Sequence, residues 1–349
     1  MAETGTKSPR VSVIIPVYNG AGTLDECLAT VLGSTWRDLE VVVVNDGSTD
    51  ATAQIARRWA DRDSRCRVID LPQNAGAARA KNIGAQHARG EILFFTDADI
   101  RVPAPLLSYV LEDLADPRVD GVVGLLGQSC PYHNFASEFK NLWMHFTYRR
   151  QPREVGLFFT SAAAIRREIF AREGGFDSHY QGASITEDIE LGQRLRAKGY
   201  RLVLDQRATV EHCKHYTLGE VLRTDLLRAR GLMLTWLRNH LPFLRREAKA
   251  LRAHYASVPW YFGAGVLAMG MATLLGLAAL ILGSGFWALM ALLAVLAALA
   301  LNAPFLSALA RWRGGLFALR SAGFLLLDLY ASGLGIVLGF IDLLRGKRY

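Results

Sequence analysis

The apolar residues of this chain are crowded toward its C-terminal end, and that asymmetry limits what it can fold into. Residues 262 to 283, 286 to 309 and 322 to 341 each approach the roughly 20 apolar residues that cross a bilayer core. Residues 1 to about 255 carry nearly all the acidic groups and read as globular. An apolar content of 51% is too high for an ordinary soluble domain, and the three stretches account for the excess. We therefore expect a globular part over residues 1–230, amphipathic linker helices over 231–258 and a membrane part over 259–349 with about three apolar helices.

Charge follows the same division. The net charge is +8, and many of the Lys and Arg lie between Arg223 and Arg252, with more from Arg311 to Arg320 and from Arg345 to Arg348. Basic residues beside apolar spans are drawn to anionic lipid and fix orientation, so an anionic bilayer is the expected partner and nucleic acid is not. The segment from Leu232 to Phe243, with Trp236 and then Arg245, Arg246 and Lys249, suits the headgroup region, and Trp260 and Tyr261 suit an interfacial anchor. Two spans would return the chain to the side of Arg311, Arg313 and Arg320. The third, with Asp328, Gly333, Gly335 and Gly339, either crosses or forms a broken, re-entrant segment.

Residues 1 to 10 are polar and lead into a strand pattern rather than the apolar run of a signal peptide, so the globular part is expected to be cytoplasmic, on a cell (inner) membrane. Cys27, Cys66, Cys130 and Cys213 show no paired spacing, in keeping with a reducing compartment. The run His212-Cys213-Lys214-His215 lacks a second ligand pair at zinc spacing.

Strand and helix patterns alternate from the N-terminus. Strands are expected at 11–16, 41–44, 67–71 and 91–96, and helices at 52–62, at 76–89 and after a capping box at Thr23-Leu24-Asp25-Glu26. The run Val41 to Val44 is apolar throughout, as in a parallel strand covered on both faces. The fold class expected is α/β, an open and mostly parallel sheet. Ligands of such sheets bind beyond the carboxyl ends of the strands. Polar groups fall there repeatedly: Asn19, then Asn45-Asp46-Gly47-Ser48, then Asp97-Ala98-Asp99.

These residues carry a resemblance. Val11 to Asn19, Asn45 to Asp50, Asn74-Ala75-Gly76 through Arg79 to Asn82 and Gly84, and the Asp-x-Asp at 97–99 resemble family 2 glycosyltransferases, over residues 11 to about 240. The resemblance implies a Rossmann-like GT-A fold and a metal-dependent, inverting transfer from a nucleotide-sugar, UDP- more than GDP-linked. It implies that Pro16, Tyr18, Asn19, Asp46, Arg79 and Asp97 bind the nucleotide-sugar, and that Asp97 and Asp99 hold its diphosphate through Mg²⁺ or Mn²⁺. Independently, a hard dication that keeps most of its waters needs only one or two carboxylates besides phosphate oxygens, and two residues spaced i, i+2 on extended backbone project to one side.

Glu187-Asp188 sits in a second block, Gly174 to Asp177 and Glu187 to Leu195, that is similar to the family's acceptor side. An acceptor hydroxyl needs a carboxylate to take its proton. Asp188 is the expected base and Glu187 its orienting or metal-side neighbour, although Ser184-Ile185-Thr186-Glu187 also reads as a capping box. His212, at a strand end, is either a further metal-side group or a structural histidine. Residues 158–162 are expected in the acceptor wall by resemblance alone. The expected acceptor is lipid-linked or a membrane glycan. Alternatives are a polysaccharide synthase subunit, which the absence of a Gln-x-x-Arg-Trp motif around Arg223 to Gly231 disfavours, a polyprenyl-phosphate glycosyltransferase and a non-catalytic scaffold.

Overall fold

The computed structural model describes residues 10–178, 186–240 and 259–346. Two compact units are built from it, one from residues 1–131 and 151–214, the other from 132–150 and 215–349.

The first unit is a mixed sheet. Strands β1 (Val11–Val17) and β2 (Leu39–Asn45) pair in parallel, Val11 opposite Leu39 through to Val17 opposite Asn45. Every residue of β2 is buried, because α1 (Leu24–Leu32), α2 (Thr52–Arg62) and α3 (Ala77–His87) cover the sheet. Helix α1 buries Leu24, Cys27, Leu28, Val31 and Leu32, a stripe at helical spacing. Its Thr23 makes no side-chain capping bond, contrary to the capping box expected there.

β3 (Cys66–Asp70) lies outside β2, and β4 (Ile92–Phe95) lies on the other side of β1, both parallel to their neighbours. The order β3-β2-β1-β4 leaves a crevice at the carboxyl ends, where the chain switches direction across the sheet. β5 (Ile100–Arg101), α4 (Leu106–Leu114), β6 (Gly121–Leu126), α5 (Phe135–Arg149), β7 (Glu154–Val155), β8 (Ala163–Arg166), α6 (Arg167–Arg172), α7 (Glu187–Ala197) and β9 (Leu202–His212) follow. β8 enters antiparallel between β4 and β6, and β9 runs parallel to β6. β9 is one continuous strand, with a register shift opposite Val123 and Leu125. β5 and β7 add antiparallel to β9.

The second unit collects α5, α8 (Leu218–His240), α9 (Trp260–Leu282), α10 (Gly285–Leu301), α11 (Ala303–Arg313) and α12 (Gly315–Leu344). A capping box forms at the start of α8, where Thr217 and Glu220 exchange bonds of 2.7 and 3.3 Å. The expected boundary at residue 230 falls inside this helix, whereas the compact units part at 214/215, with residues 132–150 joining the second. Of the linker expected over 231–258, the described residues simply continue α8, and 241–258 lies outside the described residues. Nor did the sequence reading assign α5 to the membrane part. Its aromatic stripe places it there: Phe139 meets Phe324 at 4.9 Å between ring centroids, and Trp143 meets Phe262 at 4.8 Å.

Helices α9 and α12 are long and apolar enough to cross a membrane. The stretch expected as one span at 286–309 is instead bent by 58° between α10 and α11, and counts as a third span only if the pair is taken together. Pro304 is the cause, since it has no N–H to return to the helix and stands in the first turn of α11 behind the buried Asn302. The third stretch is continuous, which removes the broken-segment alternative. Its glycines serve close approach. A Cβ added at Gly335 would lie 2.2 Å from the Leu226 carbonyl oxygen of α8, and one at Gly339 would lie 2.7 Å from that of Arg230.

Gly335→Ala is therefore expected to cost about 1–3 kcal/mol through forced separation of α8 and α12. Gly323→Ala, where a Cβ meets nothing within 4 Å, should be neutral or slightly stabilising. Melting curves of the two variants in the same detergent decide this, and equal midpoints would refute the close-packing role of Gly335.

Candidate active site

The loops after β1, β2 and β3 are fastened to one another before any ligand is considered. Asn19 adopts φ +51° and accepts the Thr49 N–H at 2.8 Å, while its own N–H donates to Ser48 Oγ at 2.9 Å. Gly47 has φ +68°, and a Cβ there would meet the backbone of Gln73 at 2.6 Å, so only glycine fits. Asp46 is buried and spends both carboxylate oxygens on backbone N–H groups, Ala75 at 2.7 Å and Gly76 at 3.0 Å, just ahead of α3. It thereby holds the turn that opens that helix. Pro16 is half-buried and Tyr18 is 49% exposed, so an aromatic face is presented at the crevice rim.

Helix α3 separates two cations that the sequence places two residues apart. Arg79, the expected contact, is exposed and makes no ion pair among the described residues, whereas Lys81 is 3% exposed. Lys81 Nζ donates to Thr160 Oγ1 at 2.7 Å and to Glu187 Oε1 at 3.0 Å, and stands 5.2 Å from the Phe176 ring centroid. Burial alone would lower its pKa, but Glu187, Asp97 and Asp188 overcome that and hold the ammonium above its ordinary value. One buried cation therefore senses residues from the ends of both acidic blocks. Sequence reasoning missed Lys81, although its place in the buried stripe with Ala78, Gly84 and Ala85 was available from the helical period.

Asp97 Oδ2 accepts the Ser161 hydroxyl at 2.7 Å, and the neighbouring Thr96 hydroxyl donates to the Ser161 carbonyl at 2.9 Å. Segment 158–162, expected here by resemblance alone, thus touches the site through Thr160 and Ser161. Asp99 lies 3.5 Å from His212 Nε2, where β5 pairs with β9. Burial alone would raise the Asp99 carboxyl, yet His212 and then Lys214 draw it below the usual carboxylate range. Below these residues, burial pushes the Cys27 thiol far up, with Asp99 and Asp97 adding to the effect, so it is inert. Cys66 and Cys213, pushed up to about 11 chiefly by burial, are likewise poor nucleophiles, and all four cysteines are free.

Glu187 and Asp188 open α7. Thr186, immediately before the helix, makes no side-chain capping bond, and Ser184 lies outside the described residues. Glu187 is spent on Lys81 rather than on a cap, with its second oxygen Oε2 buried and without a hydrogen-bond partner among the described residues. Asp188 is half-buried and accepts the Ile189 N–H at 2.7 Å. Among the described residues no group of three or more His, Cys, Asp or Glu is gathered closely enough to hold a metal by itself, so Asp97, Asp99 and His212 do not form a three-ligand set. Two carboxylates, each fixed by a neighbour, are nonetheless the hard oxygen donors that Mg²⁺ or Mn²⁺ takes beside phosphate oxygens.

Residues 12–174 match the model of glycosyl transferase family 2. The chain carries a family 2 glycosyltransferase domain. Glycosyltransferase GlyG of Streptococcus pneumoniae is 31% identical over 168 residues, which are 48% of this chain and 51% of that protein. Glycosyltransferase AglE of Haloferax volcanii is 28% identical over 251 residues, 70% of this chain and 79% of that one. The chain thus spans about half the length of the first of these relatives and more of the second. Among solved structures, the mannosyltransferase PcManGT from Pyrobaculum calidifontis, determined in complex with GDP-Man and Mn²⁺, superposes with a TM-score of 0.59 at 25% identity. It covers 95% of this chain and 88% of its own. The family 2 domain has the GT-A fold, followed by apolar C-terminal helices that could span a membrane.

Proposed function

We propose that the family 2 domain transfers a sugar, with inversion, from a nucleotide-diphosphate sugar to the hydroxyl or phosphate of a membrane-borne acceptor at the cytoplasmic face of the cell membrane. The observation that carries this reading is the buried Lys81, which ties Glu187 in place and senses both Asp97 and Asp188. Groups from separate sheet ends and from α7 therefore serve one neighbourhood. A non-catalytic scaffold has no need of that convergence.

In this reading Tyr18 and the Asn19–Asp46 loop pair hold the nucleotide, and Arg79, exposed on α3, closes on it when the donor binds. A divalent cation on Asp97 and Asp99 would neutralise charge on the departing diphosphate. His212 keeps Asp99 ionised and oriented. For a hydroxyl acceptor, Asp188 takes its proton as the oxygen bonds to the anomeric carbon and the bond from that carbon to the diphosphate breaks on the opposite face; a phosphate acceptor, already ionised, needs no such base. Glu187 and Lys81 position α7 so that Asp188 presents its carboxylate. The mannosyltransferase neighbour supports GDP-mannose as the first donor to try, ahead of the UDP-sugars expected by resemblance.

Helices α9 and α12 support a membrane-borne acceptor, because an enzyme kept at the bilayer meets lipid-linked substrates at high local concentration. Membranes containing the chain, incubated with Mn²⁺ and labelled GDP- or UDP-sugars, are expected to yield label that partitions into organic solvent. Label recovered only in a water-soluble polymer would remove the lipid-borne acceptor and favour polysaccharide extension.

A further inference from the structure

The second unit contains a cavity. It measures about 290 Å³ and is bounded by α5, α8, α9 and α12. Trp143, Leu232, Trp236, Trp260, Val266 and Ile336 are among the residues of its wall, and Asp225 and Arg228 are the charged groups on it among the described residues. A volume near the lower end of small-molecule sites takes a length of hydrocarbon chain and not a whole lipid.

Three observations say what fills it. Two of the bounding helices, α9 and α12, are long and apolar enough to cross a membrane, and in a bilayer acyl chains would meet the opening. Trp236 and Trp260 on the wall are 40% and 76% exposed, which suits a mouth at the level of the headgroups. At the polar end Asp225 is bound by the buried Lys140, with Asp328 beside the same pair, and Arg230 is bound by Asp342, while Arg228 is the cation among the described residues that line the cavity.

We propose that this cavity binds the acyl chain of an anionic phospholipid of the surrounding bilayer, with its phosphate on Arg228. The proposal does not rest on the reading of donor and acceptor given above.

The test uses the full chain in phosphatidylcholine vesicles, titrated with phosphatidylglycerol brominated along its acyl chains, with tryptophan emission as the readout. Trp143, Trp236 and Trp260 line the cavity, so quenching should contain a component that saturates at low mole fraction, above the proportional quenching of the other tryptophans. Gly263 lines the cavity and a Cβ there meets nothing within 4 Å, so Gly263→Phe fills the space without a backbone clash and should remove the saturable component. Gly270→Phe, equally unhindered but away from the cavity, should keep it. Ile336→Phe, from the facing wall, should repeat the loss should Gly263→Phe fail to fold, melting curves deciding which variant is read. Arg228→Gln should weaken the preference for brominated phosphatidylglycerol over brominated phosphatidylcholine about tenfold, and Arg228→Lys should retain most of it. Saturable quenching unchanged in both filled variants would overturn the proposal. So would strictly proportional quenching in the native chain, the result expected if residues 241–258 supplied the occupant. Equal affinity of the native chain for the two lipids would overturn the assignment of Arg228 to a phosphate.

Discussion

Asp188→Asn is expected to lower turnover by about 10²–10⁴-fold while leaving donor affinity unchanged, the signature of a lost general base. The amide is isosteric and can still accept the Ile189 N–H that orients the side chain, so α7 keeps its start. What the amide cannot do is take a proton from the acceptor. Asp99→Asn should behave differently: it weakens the partnership with His212 and removes a hard donor, so metal-dependent donor binding falls along with turnover. Calorimetric titration with nucleotide-sugar, with and without Mn²⁺, beside initial rates separates the two patterns. Near-native rates in purified Asp188→Asn would end the base assignment.

Lys81→Met is expected to have the second largest effect, on stability as well as rate. The methionine occupies a similar volume but leaves Glu187 buried without its partner, with Oε2 already unpaired among the described residues. Breaking one side of a buried ion pair costs roughly 3–5 kcal/mol. The folded-state pKa of Lys81 is raised above the ordinary 10.5. Its contribution is therefore fully present below pH 10.5 and is lost only as pH rises through the higher folded value, so a comparison at pH 7 reads the whole effect. Lys81→Met, Glu187→Gln restores a neutral pair and should recover part of the stability without recovering the rate, because the positive charge beside Asp97 and Asp188 is still missing. Melting by circular dichroism gives the first quantity and the transfer assay the second. A single variant as stable as the native chain would show that Lys81 does not hold α7.

Much of the fold was legible in the sequence wherever a local period or a local chemical rule decides the outcome. The apolar run of β2 implied burial on both faces, and α2 and the first span lie close to where their periods put them. Capping was less legible. Of the two capping boxes expected, Thr23 makes no capping bond and Glu187 is drawn away by Lys81, while Thr217 and Glu220 form a box at the start of α8. A carboxylate in a first helical turn goes to a buried cation in preference to an orphan N–H when both are in reach, and sequence alone does not say what is in reach.

The order of residues by itself determined that an α/β crevice would collect Asn19, Asp46, Asp97 and Asp99 at strand ends, and that apolar helices would follow, because these properties depend on periods of two and 3.6 residues and on turn chemistry within a few positions. Only the tertiary structure decided that Lys81 and not Arg79 joins the acidic residues, that α5 leaves the sheet to pack among Phe262, Phe305 and Phe324, and that glycines of α12 admit α8. Each of those depends on contacts between residues more than seventy positions apart, where burial and charge compensation, not local propensity, set the energy.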